Sequence, residues 1–442
     1  MATSRGPALR ILALTAICIS AAWACRADAS TIPVANCNDS GAGSLREAVT
    51  TASDGDTIDV GATPFCLIFL TSGQIEIPQD NLRIAGRAGN PVTIDSNQAS
   101  RLLHHSGTGT LSVFGLALRF GRHTENLALG GCLLSEGHVD LERTQFEHCE
   151  AVGEGPDAMA SGGAVHAHSL WARNTRFDEN IASGTNGNGG AISTEGRTTL
   201  YLATLGGNVA ANGGAVSTLG GATVTYSFIL NNAATRDNGG IQASGGSVTI
   251  NKSLVFGNAA GRRCGGICVT GSGRTTVLDS TIASNRAAFL GAGELSDDAT
   301  ISNSTIVYNA DTSGSECVGV IRARSLRLGS TIVSSNTCLA TGQLPYDIGG
   351  RPWEGYALTG SNNLIGRSRV RPPADTLSVD PMLDVLADNG GVSVTYALLP
   401  GSPAIDSGNN KAGRLYDQRG PGFPRVVGPR ADIGAYEVQA GE

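Results

Sequence analysis

Three kinds of side-chain grouping in this 442-residue chain have the composition to do chemistry. The first is paired acids, since glycoside hydrolysis needs two carboxylates at a set separation. Asp178-Glu179, Asp297-Asp298 and Glu147 beside His148 are the acidic clusters. None recurs at a fixed interval, so no stack of acids on one face is expected. A calcium-dependent lyase would want such a stack with a basic residue beside it. The second grouping is histidine. His104, His105, His123, His138, His148, His166 and His168 all lie between 104 and 168. They lack the i, i+4 spacing of a helical metal site, and His166-Ala167-His168 alternates along a strand, so they read as surface. The third is cysteine. Cys264-x-x-x-Cys268 has no histidine near it to complete a tetrahedral zinc set. No catalytic, cofactor-binding or metal-binding residue is expected, and no cofactor. Asp417, Arg419, Asp432 and Glu437 read as a buried ionic network holding the C-terminal segment on the rod.

The elements that position these groups come from a repeat. Gly162-Gly163-Ala164-Val165 recurs as Gly189-Gly190-Ala191-Ile192 and Gly213-Gly214-Ala215-Val216, with weaker copies at Gly239-Gly240, Gly265-Gly266 and Gly291-Ala292-Gly293. Upstream of most of these pairs stands an apolar-x-x-Asn string. The examples run Phe177 to Asn180, Leu205 to Asn208, Phe228 to Asn231, Val255 to Asn258, Ile282 to Asn285 and Ile306 to Asn309. Short runs such as Val248-Thr249-Ile250 and Thr276-Val277-Leu278 are β-branched and read as strands. No helix-length segment joins them, so the other faces of the same coil must supply the crossover that parallel strands require. One coil cannot bury its own apolar face, and stacked coils can. The expected fold is all-β, a right-handed parallel β-helix (pectate-lyase-like solenoid). Asn180, Asn208, Asn231, Asn258, Asn285 and Asn309 are expected to form a structural amide ladder between coils.

The two strings in phase resemble the repeat of polymorphic outer membrane proteins over about residues 130–340, which implies a β-helix passenger. Gly43-Ser44-Leu45-Arg46-Glu47-Ala48 is similar to the motif of exported β-helix proteins named for Cys-Ser-Leu-Arg-Glu-Ala, with Gly43 in the cysteine position. Ser44 with Glu47 is also a capping box, and Leu45, Ala48, Val49 and Ala52 share a helical face. A short helix there would close the N-terminal end of the stack. Asp380-Pro381, Ala387-Asp388-Asn389-Gly390-Gly391, Gly401-Ser402-Pro403-Ala404-Ile405-Asp406, Asp417-Gln418-Arg419-Gly420 and Ala431-Asp432-Ile433-Gly434 follow. This order resembles the choice-of-anchor Q domain of exported bacterial proteins over about 345–438.

Proline marks that boundary: none occurs from 157 to 344, and ten of the sixteen lie from Pro345 onward. Proline removes a ladder donor, so the stack is expected to stop near 340. At the other end Arg5 and Arg10 precede an apolar run from Ile11 to Trp23, and Ala27-Asp28-Ala29 fits a cleavage site. The expected organisation is a signal peptide over 1–29, an N-terminal cap over 30–56, the β-helix over 57–342 and a Pro-rich choice-of-anchor Q-like segment over 343–442, packed on the last coils. An exported chain with an even set of cysteines favours disulfides. The expected pairs are Cys37–Cys66, Cys132–Cys149, Cys264–Cys268 and Cys317–Cys338. Net charge is −7, which disfavours nucleic acid as a partner. No run of about 18 apolar residues follows the leader, so no transmembrane segment is expected. These features point to a monomeric module secreted by, or held at the outer surface of, a bacterium. Its expected role is adhesin-like binding of a glycan or a neighbouring cell surface. A polysaccharide lyase or hydrolase on the same rod is the alternative.

Overall fold

The computed structural model describes residues 29–61, 66–314, 319–339, 345–350 and 352–441. Residues 1–28 of the expected leader over 1–29, and Cys317, lie outside the described residues.

The chain winds through three parallel sheets, here sheets 1, 2 and 3 in the order the chain meets them within a coil. Among the described residues sheet 1 holds 21 strands, because a bend splits most of its passes in two, and sheets 2 and 3 hold 12 each. Every pass pairs in parallel with its equivalent one coil on. In sheet 2, Thr204–Gly206 pairs with Phe228–Leu230, then Leu254–Phe256, Thr281–Ala283 and Thr305–Val307 follow. This is a parallel β-helix. Alternation along each strand sends every second residue inward. The inward column of sheet 2 is Ile68, Ile94, Leu118, Phe146, Phe177, Leu205, Ile229, Val255, Ile282, Ile306, Val333 and Ile365, all buried. Like stacks on like: the Phe146 and Phe177 rings lie nearly parallel with centroids 5.1 Å apart.

A seven-residue helix, Leu45–Thr51, closes the N-terminal end, with Leu45, Ala48 and Val49 buried against the first coil. Ser44 Oγ accepts the Glu47 N–H, as a capping residue does. Arg46 pairs with Asp39 at 2.7 Å and donates to the Gln74 carbonyl, so it fastens the entry loop. The stack is one pass longer at each end than 57–342. Thr31–Pro33 pairs with Thr57–Asp59, and Ala357–Ser361 and Leu364–Ile365 pair with the coil before them. Pro345 and Pro352 fall in the connection between those passes, where no ladder donor is needed.

The glycine pairs form the corner between sheets 3 and 1. Gly162, Gly189 and Gly213 have φ of +67°, +65° and +60°. The same left-handed position in the next coils is held by Asn238, Cys264 and Leu290, so those copies align one residue earlier than their glycines suggest. What stays glycine is the following residue. A Cβ at Gly163, Gly190, Gly214, Gly239 or Gly265 would meet the carbonyl oxygen of the next glycine in the column at 2.1–2.5 Å. Successive coils touch there through backbone alone. Gly190→Ala, which would also strike Val209 N at 2.6 Å, is expected to destabilise by at least the roughly 1–3 kcal/mol of overpacking. A thermal midpoint equal to wild type would contradict this packing.

From residue 383 the chain leaves the coil path and returns along the outside of sheet 2. Tyr396, Leu398, Ala404, Ile433 and Tyr436 cover the outward residues Ala283, Val307, Ile332 and Leu364. Sheet 2 is therefore apolar on both faces in its C-terminal half.

Candidate functional site

The asparagine ladder is built at Asn180, Asn208, Asn258, Asn285 and Asn309, all buried. In each rung the amide nitrogen donates to the next Asn Oδ1, for example Asn258 to Asn285 at 2.9 Å, and the same oxygen accepts a backbone N–H. Asn231 is not a rung. Its place belongs to Asn232, which accepts from Asn208 Nδ2 at 2.8 Å and donates to Asn258 Oδ1 at 2.9 Å. The inward apolar residue of that pass is Ile229, not Phe228, so the string is Ile229 to Asn232. Asn231 sits exposed at the turn with φ +54°. The ladder continues through Asn336 to Asp347, where Asn336 donates to Oδ1 at 2.8 Å.

A second ladder went unread in the sequence. Ser227, Ser253, Ser280 and Ser304 stand at the corner from sheet 1 to sheet 2, and each hydroxyl accepts the backbone N–H one coil before, at 3.0–3.2 Å. Its signal is a Ser or Thr two residues before the inward apolar residue of most apolar-x-x-Asn strings, Ala203 before Leu205 being an exception.

Cys37–Cys66, Cys132–Cys149 and Cys264–Cys268 are disulfide-bonded. The glycine corner at Gly265-Gly266 folds the last pair back to a Cα separation of 5.6 Å. Cys338 is disulfide-bonded as well. Among the described residues one trio of metal-ligating types converges, Cys264, Cys268 and Glu294. Both its sulfurs are in the disulfide, and Glu294 is paired with Arg263 and Arg322.

Two of the acidic clusters do share a face, contrary to the expectation from spacing. Asp95, Arg119, Glu147 and Asp178 lie in register on four consecutive coils of sheet 2, pointing outward. Differing turn lengths hide this register in the sequence. Two of its acids are ion-paired: Glu147 with Arg119 of the column at 3.0 Å, and Asp178 with the adjacent Arg176 at 3.0 Å. Asp297 and Asp298 lie apart on sheet 1, where Asp298 pairs with Arg274.

The histidines scatter. His105 is interior, bonded to Ser135 Oγ and the Gln79 carbonyl. His138 meets Ser169, and His148 stacks on Phe120 with Glu179 beside it. His104, His123 and His168 each pair with a glutamate: Glu76, Glu125 and Glu195. His166 lies in a groove of about 350 Å³ along the glycine corner with Leu129, Met159, Ser193, Ser217 and Gln242. Burial pushes its pKa down to about 4, so it is neutral there above that pH.

A regular surface runs along the outward face of sheet 1. Thr199, Thr223, Thr249, Thr276 and Thr300 occupy one register position on five consecutive coils. Parallel coils repeat every ~4.8 Å, so the hydroxyls form an even row with methyl groups between them. Trp171 stands just before the threonines in this column, after Arg83, Ser112 and Asp140, and Arg327 and Thr359 follow them. Tyr201 lies beside the first of the threonines, and both rings are about 40% exposed, Trp171 at 40% and Tyr201 at 38%. Arg173 stacks over Trp171 at 5.2 Å, which fixes that ring. The C-terminal segment forms one wall, with Arg414 reaching Asn251 Oδ1 at 2.6 Å and Asp279 at 2.7 Å. This arrangement presents two aromatic platforms, a hydroxyl row and a polar wall along one line.

No protein-family model matches the chain, and no curated protein matches it. Two solved structures are similar at low identity. The crystal structure of pectate lyase Pel9A is 11% identical, covering 93% of this chain and 97% of that chain with a TM-score of 0.44. The crystal structure of bacteriophage CBA120 tailspike protein 3 is 14% identical, covering 81% and 62% with a TM-score of 0.41.

Proposed function

We propose that the chain is an exported binding module that holds an extended glycan along the outward face of sheet 1. The observation that carries this reading is the in-register threonine column with Trp171 and Tyr201 at its head. Sugar rings offer apolar C–H faces that stack on aromatic side chains and hydroxyls that pair with other hydroxyls. A linear polysaccharide repeats these along its length, and so does the column. The disulfides support an oxidising, extracellular setting. In this reading 1–29 is a leader, the polymorphic outer membrane protein-like repeats are the rod, and 343–442 is a choice-of-anchor Q-like segment that walls the face. Loops at the coil corners then carry adhesin-like variation.

The test is binding of the purified protein to a panel of soluble oligosaccharides by calorimetry. Trp171→Ala is expected to weaken binding by about tenfold, equivalent to roughly 1.4 kcal/mol, with the thermal midpoint unchanged. Binding that survives both Trp171→Ala and Thr249→Arg would remove the face from consideration.

The Asp95, Arg119, Glu147 and Asp178 column favours one second reading, a polysaccharide lyase or hydrolase. Release of unsaturated sugars or reducing ends, abolished by Glu147→Gln, would establish it. The ion pairs that occupy Glu147 and Asp178 favour binding instead.

A further inference from the structure

We propose that an oxyanion subsite lies where the threonine column runs under the C-terminal segment, and that the bound glycan carries carboxylate or sulfate groups. This deepens the binding reading and rests on it.

A cavity of about 450 Å³ opens at that junction. One wall comes from the rod: Ser302, Arg327, Gly329 and Ser361. The other comes from the C-terminal segment: Asn409 and Lys411. The volume lies within the roughly 300–1,000 Å³ of small-ligand sites and admits a sugar ring. Arg327 stands in the column position that threonine holds in the five coils before it, so a guanidinium replaces the hydroxyl there. Many charged arginines are neutralised: Arg322 by Glu294 and Arg274 by Asp298 on the rod, and Arg414 of the C-terminal segment by Asp279. Arg327 and Lys411 have no ion-pair partner among the described residues, and no acid lines the cavity. Two uncompensated cations facing one space, in a chain of net charge −7, mark it for an anion. A guanidinium fork suits a planar carboxylate or a sulfate in bidentate fashion, and the ammonium adds a point charge.

The space is built by a missing side chain. Gly329 does not need to be glycine for its backbone, and a Cβ there would sit 3.5 Å from Ser302 Oγ, an ordinary contact. Its absence leaves the floor open between Ser302 and Ser361, its neighbours in the same outward column. The opposite wall is fixed. The Asn409 backbone both donates to and accepts from Ser330 Oγ, at 2.7 Å and 3.0 Å, and its amide donates to Asn362 Oδ1 at 2.8 Å.

The experiment titrates the purified protein with an oligogalacturonate, a sulfated oligosaccharide, a neutral oligosaccharide of the same length, and inorganic sulfate alone. At least one acidic oligosaccharide is expected to bind ten times more tightly than the neutral one, with a preference that falls as salt rises. Arg327→Thr and Lys411→Ala are each expected to bring the acidic and neutral affinities within twofold of each other. Gly329→Val, which fills the floor, is expected to do the same without removing a charge. The two acidic arms identify the anion, and saturation by inorganic sulfate alone at the same affinity would reduce the site to a simple ion site and overturn the glycan assignment. Equal binding of neutral and acidic chains by wild type overturns the subsite while leaving the sheet 1 face standing. Acidic binding lost in Arg327→Thr but untouched by both Trp171→Ala and Thr249→Arg keeps the subsite and removes the face. No binding by any probe overturns both.

Discussion

Asn232→Ala is expected to unfold or severely destabilise the rod, whereas Asn231→Ala, one residue away, is expected to be nearly silent. The Asn232 side chain serves four buried partners. Its Oδ1 accepts from the Asn208 backbone N–H at 3.0 Å and from Asn208 Nδ2 at 2.8 Å, and its Nδ2 donates to the Leu205 carbonyl at 3.0 Å and to Asn258 Oδ1 at 2.9 Å. Alanine leaves the Asn208 backbone N–H without its acceptor and takes one bond each from Asn208 Nδ2, the Leu205 carbonyl and Asn258 Oδ1, while Asn208 Nδ2 keeps the Phe177 carbonyl and Asn258 Oδ1 keeps the residue-232 N–H. One stranded buried group at about 1–3 kcal/mol and three lost hydrogen bonds at about 1 kcal/mol each sum to roughly 4 kcal/mol. Asn231 is exposed at its turn, and its removal forfeits only a preference for the left-handed conformation, well under about 1 kcal/mol by comparison with other surface changes. Chemical denaturation of both variants checks this. Equal midpoints for the two would show that the ladder does not pass through Asn232.

Arg419→Ala is expected to release the C-terminal segment from sheet 2 at a cost of about 3–5 kcal/mol, the range for removing one partner of a buried ion pair. Arg419 and Asp417 are both fully buried and pair at 2.8 Å. The guanidinium lies between the Phe423 and Tyr436 rings, 4.1 Å and 4.0 Å from their centroids, and also donates to the Asn389 carbonyl. Arg425, Asp432 and Glu437 form a neighbouring buried group, with Arg425 3.7 Å from Glu437. Burial already holds the Asp417 carboxyl above its usual range despite Arg419. Without the arginine it must rise further, so folded variant would bind a proton that the unfolded chain releases. The penalty is therefore largest at neutral pH and shrinks as pH falls through the raised folded value. Thermal melts of the variant from pH 8 to pH 4 should show it approaching wild type on acidification. Limited proteolysis should cut between 383 and 438 at neutral pH. A constant deficit across that range would mean that Asp417 is not the group left unpaired.

Much of the architecture is visible in the residues alone. Alternation in runs such as Val248-Thr249-Ile250 assigns one side of the strand to the core, because side chains alternate with a period of two. Recurrence of apolar-x-x-Asn about once per coil announces the ladder, since an amide can serve itself one coil away. Local cysteine pairs, the capping box and the proline-rich tail were equally legible. Each depends on a few neighbouring residues and on covalent geometry.

Only the tertiary structure decided which residues of different coils stand side by side. Coils differ in length, and the ladder hydrogen bonds hold the strands in register while the turns absorb the extra residues. Hence Asn232 rather than Asn231 is the rung, and Asn238 and Cys264 fill the left-handed corner. For the same reason Asp95, Arg119, Glu147 and Asp178 form one column, and five threonines separated by 24 to 27 residues form another. The C-terminal segment, too, reaches back across sheet 2 to coils more than a hundred residues earlier: Thr281 Oγ1 donates to Gln418 Oε1 at 2.6 Å. No periodicity in the chain encodes that docking, because it depends on apolar and ionic groups meeting across two surfaces that exist only after the coils have stacked.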